Sequence, residues 1–236
     1  MNHQSWSIII FAFNEENSIK GVIDDCYLLL EQISSKEFEL IIVNDGSSDN
    51  TSMNIKKAIQ NKKNIKFVEH NSNLGIGKAL LSGYQHAKYE NVCAVPADGQ
   101  FDVFELLPYA SFSNDSMISF YRVQKTRYTP YRKLLSYANR IFNKYILGIQ
   151  IKDVNWIKIY KQNMLNKINP VLSSSLVESE IMAKMVRFGC KVVEVESVYH
   201  QRQGGISKGA SIKIVLMAIP ELLKLIWIFY FRFKKV

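Results

Sequence analysis

Three polar clusters stand where apolar runs end: Asn14-Glu15-Glu16-Asn17 after Ser7 to Phe13, Asp45-Gly46-Ser47-Ser48-Asp49 after Phe38 to Asn44, and Ala97-Asp98-Gly99-Gln100 after Asn91 to Pro96. An ionised carboxylate only accepts hydrogen bonds, so Asp45 suits a base edge or a ribose hydroxyl, and Gly46 beside it permits a tight turn. Asp98 suits a different task. Mg²⁺ or Mn²⁺ takes few protein carboxylates and completes its shell with diphosphate oxygens and water, and Gln100 adds a neutral oxygen. A metal held there would neutralise charge building on a nucleoside-diphosphate leaving group. Each feature also has a structural explanation: Asp49 as a helix N-cap, Ser47 and Ser48 as turn residues, Asp98 with Gly99 as a turn pair.

Two more segments carry chemistry-bearing residues. Asn73-Leu74-Gly75-Ile76-Gly77-Lys78 lacks both the glycine-lysine-hydroxyl pattern of a phosphate loop and the glycine spacing of a dinucleotide fingerprint. Its glycines serve either close backbone approach to a nucleotide or a turn before a helix. Between His200 and Lys208, Arg202, Ser207 and Lys208 surround a glycine pair. Arg202 offers a planar fork for phosphate and Lys208 a mobile point charge; the alternative is a solvated basic loop.

The elements that must position these residues alternate. Ser7 to Phe13 and Phe38 to Asn44 read as strands buried on both faces, and Ser18 to Ile33 between them has helical apolar spacing. The alternation continues with a helix near Ser52 to Asn61, a strand near Ile65 to Glu69, a helix from Gly77 to Tyr89 and a strand near Asn91 to Pro96. This predicts an α/β fold with a mainly parallel, doubly wound sheet flanked by helices, whose ligands sit beyond the carboxyl ends of the strands. Downstream, the pattern predicts a helix near Val103 to Ala110, a strand near Met117 to Val123 and an amphipathic helix from about Tyr131 to Leu147. A strand at Asn155 to Tyr160, a helix from Ser175 to Phe188 ending at Gly189, and a strand from Lys191 to Val198 complete it.

The 236 residues are 47% apolar, which suits one well-filled catalytic domain over residues 1–210 and a C-terminal helix over 211–236. The three cysteines, Cys26, Cys93 and Cys190, form no metal-binding spacing and read as buried, reduced thiols. The start of the chain has no signal-peptide pattern, so the catalytic part is expected in the cytoplasm. The net charge is +9; from Ser116 to Lys152 there is no acid against eight Lys or Arg, and after Ser197 Glu221 is the one acid. Phosphate is the natural partner. A nucleic-acid-binding protein is disfavoured, because acidic strand ends would point into the site and no binding module is recognisable.

In order, AFNEE at Ala12 to Glu16, VNDGSSDNT at Val43 to Thr51, NLGIGKAL at Asn73 to Leu80 and PADGQFD at Pro96 to Asp102 resemble glycosyltransferase family 2. The downstream half resembles its dolichol-phosphate mannosyltransferase branch, through Arg122 to Lys133, NWIKIYKQN, LVESEI at Leu176 to Ile181 and YHQRQGGISKG. The resemblance implies a GT-A fold, a nucleoside-diphosphate-sugar donor, a divalent metal and inversion at the anomeric carbon. It assigns Ala12, Asn14, Glu15, Asp45, Gly77, Lys78 and Asp98 to the donor nucleotide and Asp98 with Gln100 to the metal. Pro96 departs from it, standing where several polyprenyl-phosphate enzymes carry a further acid.

The acceptor decides whether a base is needed. A lipid monophosphate, with a second pKa of about 6, is largely ionised at neutral pH and attacks unaided; a saccharide hydroxyl requires a carboxylate base. Glu180 is the candidate base or positioning group, with Glu178 the alternative and an ordinary helix carboxylate the bland reading. For a polyprenyl phosphate, Arg122, Arg127, Arg202, Ser207 and Lys208 are the candidate ligands, Arg202 also serving the transfer itself. The tail from Ile212 to Phe233 places Lys213, Pro220, Glu221 and Lys224 in one stripe at about 100° per residue. The remaining surface, including Trp227, Phe229, Tyr230 and Phe231, is expected to enter lipid as an interfacial anchor on the cytoplasmic face, with Arg232, Lys234 and Lys235 at headgroups. The competing reading is a partner helix or self-association.

Overall fold

The structure is a computed structural model that describes residues 4–33, 37–123, 130–202, 212–227 and 229–230. The first half alternates as its apolar periods predict: β1 (Trp6–Ala12), α1 (Ile19–Ile33), β2 (Phe38–Asn44), α2 (Thr51–Ile59), β3 (Ile65–Glu69), α3 (Ile76–His86) and β4 (Asn91–Pro96). A 3₁₀ helix (Val103–Tyr109), with Pro108 inside it, leads to β5 (Ser116–Arg122) and α4 (Pro130–Tyr145). β6 (Lys158–Lys161), α5 (Gln162–Leu165), α6 (Val177–Arg187), β7 (Lys191–Ser197) and α7 (Ile212–Trp227) follow.

Among the described residues seven strands form one sheet in the order β3-β2-β1-β4-β6-β5-β7. β1 to β4 are mutually parallel; β6 runs antiparallel to both β4 and β5, and β7 is parallel to β5. In β1, Ile8 and Ile10 face one core with Ile19, Ile23 and Leu30 of α1, while Ile9 faces a second core with Leu80 of α3 and Ile181 and Met182 of α6. That two-sided burial explains why these strands read as unbroken apolar runs. Ala12 pairs with Asn44, and Phe11 with Pro96, so the carboxyl ends of β1, β2 and β4 finish level. Chain order reverses between β1 and β4, and the resulting crevice lies where an open α/β sheet binds ligands.

Two elements differ from their sequence reading. The strand expected at Asn155 to Tyr160 begins only at Lys158, because the Asn155 amide donates to Asp153 Oδ1 (3.3 Å) and turns the chain. The tail differs in part. Of its polar stripe Glu221 turns inward, accepting from the Ser173 and Ser174 amides (3.1 and 3.0 Å), while Lys224 stays exposed and donates to the Val171 carbonyl (3.2 Å). Leu225 and Phe229 are buried in the second core, so Phe229 packs against protein instead of lipid, with the Arg187 guanidinium 4.3 Å from its ring centroid. Leu223, Trp227 and Tyr230 stay exposed. No helix among the described residues is long and apolar enough to cross a membrane; Phe231, Arg232, Lys234 and Lys235 lie outside the described residues.

Candidate active site

The loops after β1 and β2 hold each other. Asn14 adopts a left-handed backbone (φ 57°); its amide donates to Ser47 Oγ (2.9 Å), and its side-chain oxygen accepts the Ser48 amide (2.8 Å). The Glu15 amide donates to Thr51 Oγ1 (2.8 Å), and Glu16 Oε2 accepts the Asn50 amide (3.0 Å). Asp49 accepts from the Thr51 amide (3.0 Å), so it caps α2 from two residues before the helix begins, while Asn50 at the N-cap position makes no side-chain cap bond. Asp45 donates its amide to the Ala12 carbonyl (2.8 Å), extending the β1–β2 ladder past the last paired residues.

Asp45 is almost wholly buried. Oδ1 accepts from the Leu74 amide (2.9 Å) and faces His70 Nδ1 (2.7 Å); Oδ2 accepts from the Gly75 amide (2.9 Å) and Asn73 Nδ2 (3.0 Å). Gly46 and Gly75 sit at φ 65° and 91°, a region L side chains rarely adopt, and a Cβ on Gly46 would lie 2.2 Å from the Ser72 carbonyl carbon. Gly77 is shut against protein: a Cβ there would meet the Ser173 and Ser174 carbonyl oxygens at 2.2 Å. Lys78 is exposed beside it.

At the end of β4, Gly99 turns the chain at φ 70° and Asp98 Oδ1 accepts the Gln100 amide (3.1 Å). Burial pushes the Asp98 carboxyl above the usual carboxylate range, against the opposing pull of that amide and the Arg122 charge. Gln100 donates Nε2 to the Tyr199 hydroxyl (2.6 Å), which leaves its Oε1 as the acceptor. One carboxylate and one neutral oxygen fit a small divalent cation whose remaining ligands come from a diphosphate and water. Among the described residues no group of three or more His, Cys, Asp or Glu could hold a metal ion.

Arg202, almost at the other end of the chain, reaches both carboxylates. Its guanidinium donates to Glu15 Oε1 and lies 3.9 Å from Asp98 Oδ2. Ser18 Oγ ties the Glu15 loop to the β4 end by donating to the Ala97 carbonyl (2.7 Å). Arg122 borders the same region: it forms a two-pronged pair with Asp153 (2.7 and 3.0 Å), and lies 4.7 Å from the Trp156 ring centroid and 5.6 Å from that of Tyr199. Glu15, Asp45, Asp98, Gln100, Arg122 and Arg202 therefore gather at one sheet edge. Arg127, Ser207 and Lys208 lie outside the described residues.

Glu180 is not brought there. It is fully buried on α6; its carboxylate accepts from the Val171 amide (3.0 Å) and the Leu172 amide (2.8 Å) and pairs with Lys184 Nζ (2.5 Å). A group so enclosed clasps a loop and cannot take a proton from an acceptor. Glu178 is likewise engaged, by the Tyr84 and Tyr160 hydroxyls (2.6 and 2.8 Å) and Lys158 (3.0 Å). The sequence reading missed His70, Asp153 and Tyr199. His70 is the first residue after β3, so the rule that led to the other strand ends would have found it; Asp153 carries no local pattern.

A family model described as Glycosyl transferase family 2 matches residues 7–167. The chain is 27% identical over 219 residues to a dolichyl-phosphate beta-glucosyltransferase of Trichomonas vaginalis, covering 86% of this chain and 68% of that protein. It is 26% identical over 214 residues to an undecaprenyl-phosphate 4-deoxy-4-formamido-L-arabinose transferase of Pectobacterium carotovorum subsp. carotovorum, covering 89% of this chain and 64% of that one. The chain thus spans about two thirds of the length of these relatives. In fold it matches glucosyl-3-phosphoglycerate synthase from Mycobacterium tuberculosis, crystallised with Mn²⁺, uridine-diphosphate-glucose and phosphoglyceric acid, at a TM-score of 0.72 and 17% identity over 94% of this chain and 80% of that one. The likeness, over 94% of this chain, bears out the GT-A architecture.

Proposed function

The chain belongs to glycosyl transferase family 2, and on that premise we propose that it moves a sugar, with inversion, from a nucleoside-diphosphate sugar to a polyprenyl phosphate. The observation that carries this is the meeting of Glu15, Asp45, Asp98 and Arg202 at the level ends of β1, β2 and β4. Asp45 and the Asn14–Glu15 loop take the nucleoside, with Ala12 and, at the start of α3, Gly77 and Lys78 as its border. Asp98 and Gln100 would hold Mg²⁺ or Mn²⁺, and such a cation would neutralise charge on the diphosphate leaving group. Arg202 stabilises the charge on the phosphates through its fork.

The acceptor reading has two supports. An ionised phosphate oxygen attacks the anomeric carbon as its bond to the diphosphate breaks, and needs no base; the candidate base Glu180 is enclosed in protein. Two relatives named above are named for transfer to dolichyl or undecaprenyl phosphate. Arg122 borders Asp98 on the acceptor side, with Arg127, Ser207 and Lys208 as further ligands. The exposed Leu223 and Trp227 of α7, with Tyr230 after it, rest the protein on the cytoplasmic membrane face, where a lipid phosphate resides.

The test is incubation of the purified protein with a panel of nucleotide sugars, Mg²⁺ or Mn²⁺, and undecaprenyl phosphate. Labelled sugar in the lipid phase is the expected result. Transfer only to water-soluble saccharides would overturn the acceptor and favour a hydroxyl nucleophile.

A further inference from the structure

The Asp45 carboxylate is saturated. Its two oxygens offer about four acceptor positions, and His70 Nδ1, the Leu74 and Gly75 amides and Asn73 Nδ2 occupy them. If Asp45 takes a nucleoside N–H or hydroxyl, one of these four must yield. Leu74 and Gly75 are backbone groups of a turn whose conformation Gly75 fixes. His70 is anchored at its other nitrogen, where Nε2 lies 3.0 Å from Ser82 Oγ on α3. Asn73 is an exposed side chain on the rim and is free to rotate outward.

We propose that His70 is a positioning residue for nucleotide recognition: held by Ser82, it keeps Asp45 Oδ1 in place, while the nucleoside displaces Asn73 from Oδ2. The carboxylate fixes one proton: an acceptor-only group at 2.7 Å requires an N–H on Nδ1, while Nε2 on the far side of the ring is held by the Ser82 hydroxyl. Ser82 thereby ties the end of β3 to the middle of α3 and fixes the plane of the ring whose Nδ1–H donates to Asp45. The ligand class is a nucleoside diphosphate with a donor N–H or O–H on its base or ribose. The inference rests on the reading that this sheet edge holds the nucleotide.

The experiment measures binding of uridine and guanosine diphosphates, with Mn²⁺, to the wild-type protein and to Asp45→Ala, His70→Leu, His70→Asn, Ser82→Ala and Asn73→Ala. Losing a hydrogen bond to a charged group costs enough that His70→Leu should weaken binding roughly tenfold or more. His70→Asn, whose amide reaches where Nδ1 stood, should recover most of the loss, and Asn73→Ala should bind as tightly as wild type or tighter. In transfer assays the His70→Leu loss should fall on the donor KM and spare kcat. Long-range ¹H–¹⁵N spectra of the histidines should show His70 protonated at Nδ1, with that signature blurred in Ser82→Ala. Equal binding by His70→Leu and wild type, with Asp45→Ala defective, would overturn the role of His70 alone. Wild-type protein that binds no nucleoside diphosphate, or Asp45→Ala that binds normally, would overturn the underlying reading. A folded His70→Leu whose defect His70→Asn does not relieve also counts against the proposal.

Discussion

At the residue scale, Asp98 is held between two influences. Burial favours its neutral form, while the Gln100 amide and the Arg122 charge favour the ionised one, and burial prevails. A carboxyl whose folded pKa lies above its unfolded value of about 3.9 stabilises the metal-free protein fully below that value, and the contribution is lost as pH rises through the folded pKa. Metal binding needs the ionised form, so Mn²⁺-dependent transfer should fall in the same window as pH is lowered. Asp98→Asn should remove the stability trend from thermal unfolding curves and reduce transfer on the order of a thousandfold. Retained metal-dependent turnover in that variant would dismiss Asp98 as a ligand. Glu180 illustrates the opposite case: the same residue type on a helix, closed off by two backbone amides and a lysine, is a structural clasp.

At the element scale, the segment from residue 169 to 174 connects α6, α7 and α3. Glu180 and Lys184 grip it from α6, with Lys184 Nζ donating to the Asn169 carbonyl (2.7 Å), and Glu221 grips it from α7. Its Ser173 and Ser174 carbonyls abut Gly77 at the start of α3, two residues from the Gly75 amide that binds Asp45. Gly77→Ala should therefore force the segment or the helix to move. Overpacking of this kind costs about 1–3 kcal/mol, measurable by denaturant unfolding, and the displaced turn should raise the donor KM. An unchanged KM together with unchanged stability would mean that this contact is looser than its geometry indicates.

At the scale of the whole molecule, the two cores enclose the reactive sulfur. Cys26, Cys93 and Cys190 are free and buried; desolvation raises all three thiols, Cys190 to about 11. A thiol needs its thiolate form to react. The folded protein should resist disulfide-exchange reagents at neutral pH and expose three thiols only on denaturation; rapid labelling of the native protein would show that a core opens locally.

Local pattern determined much of this protein. Apolar runs bounded by turn residues located β1 to β4, helical spacing located α1 and α3, and the rule that ligands gather at strand ends led to Asp45 and Asp98, because those properties depend on neighbours within a few residues. Only the tertiary structure decided which distant groups meet. It joined Arg202 to Glu15 across 187 positions and bound Arg122 to Asp153. It also enclosed Glu180 and turned Glu221 of α7 inward onto Ser173 and Ser174. A carboxylate reads the same in sequence whether it faces a ligand or a buried amide; burial and partners, which the packing of distant segments sets, distinguish the two.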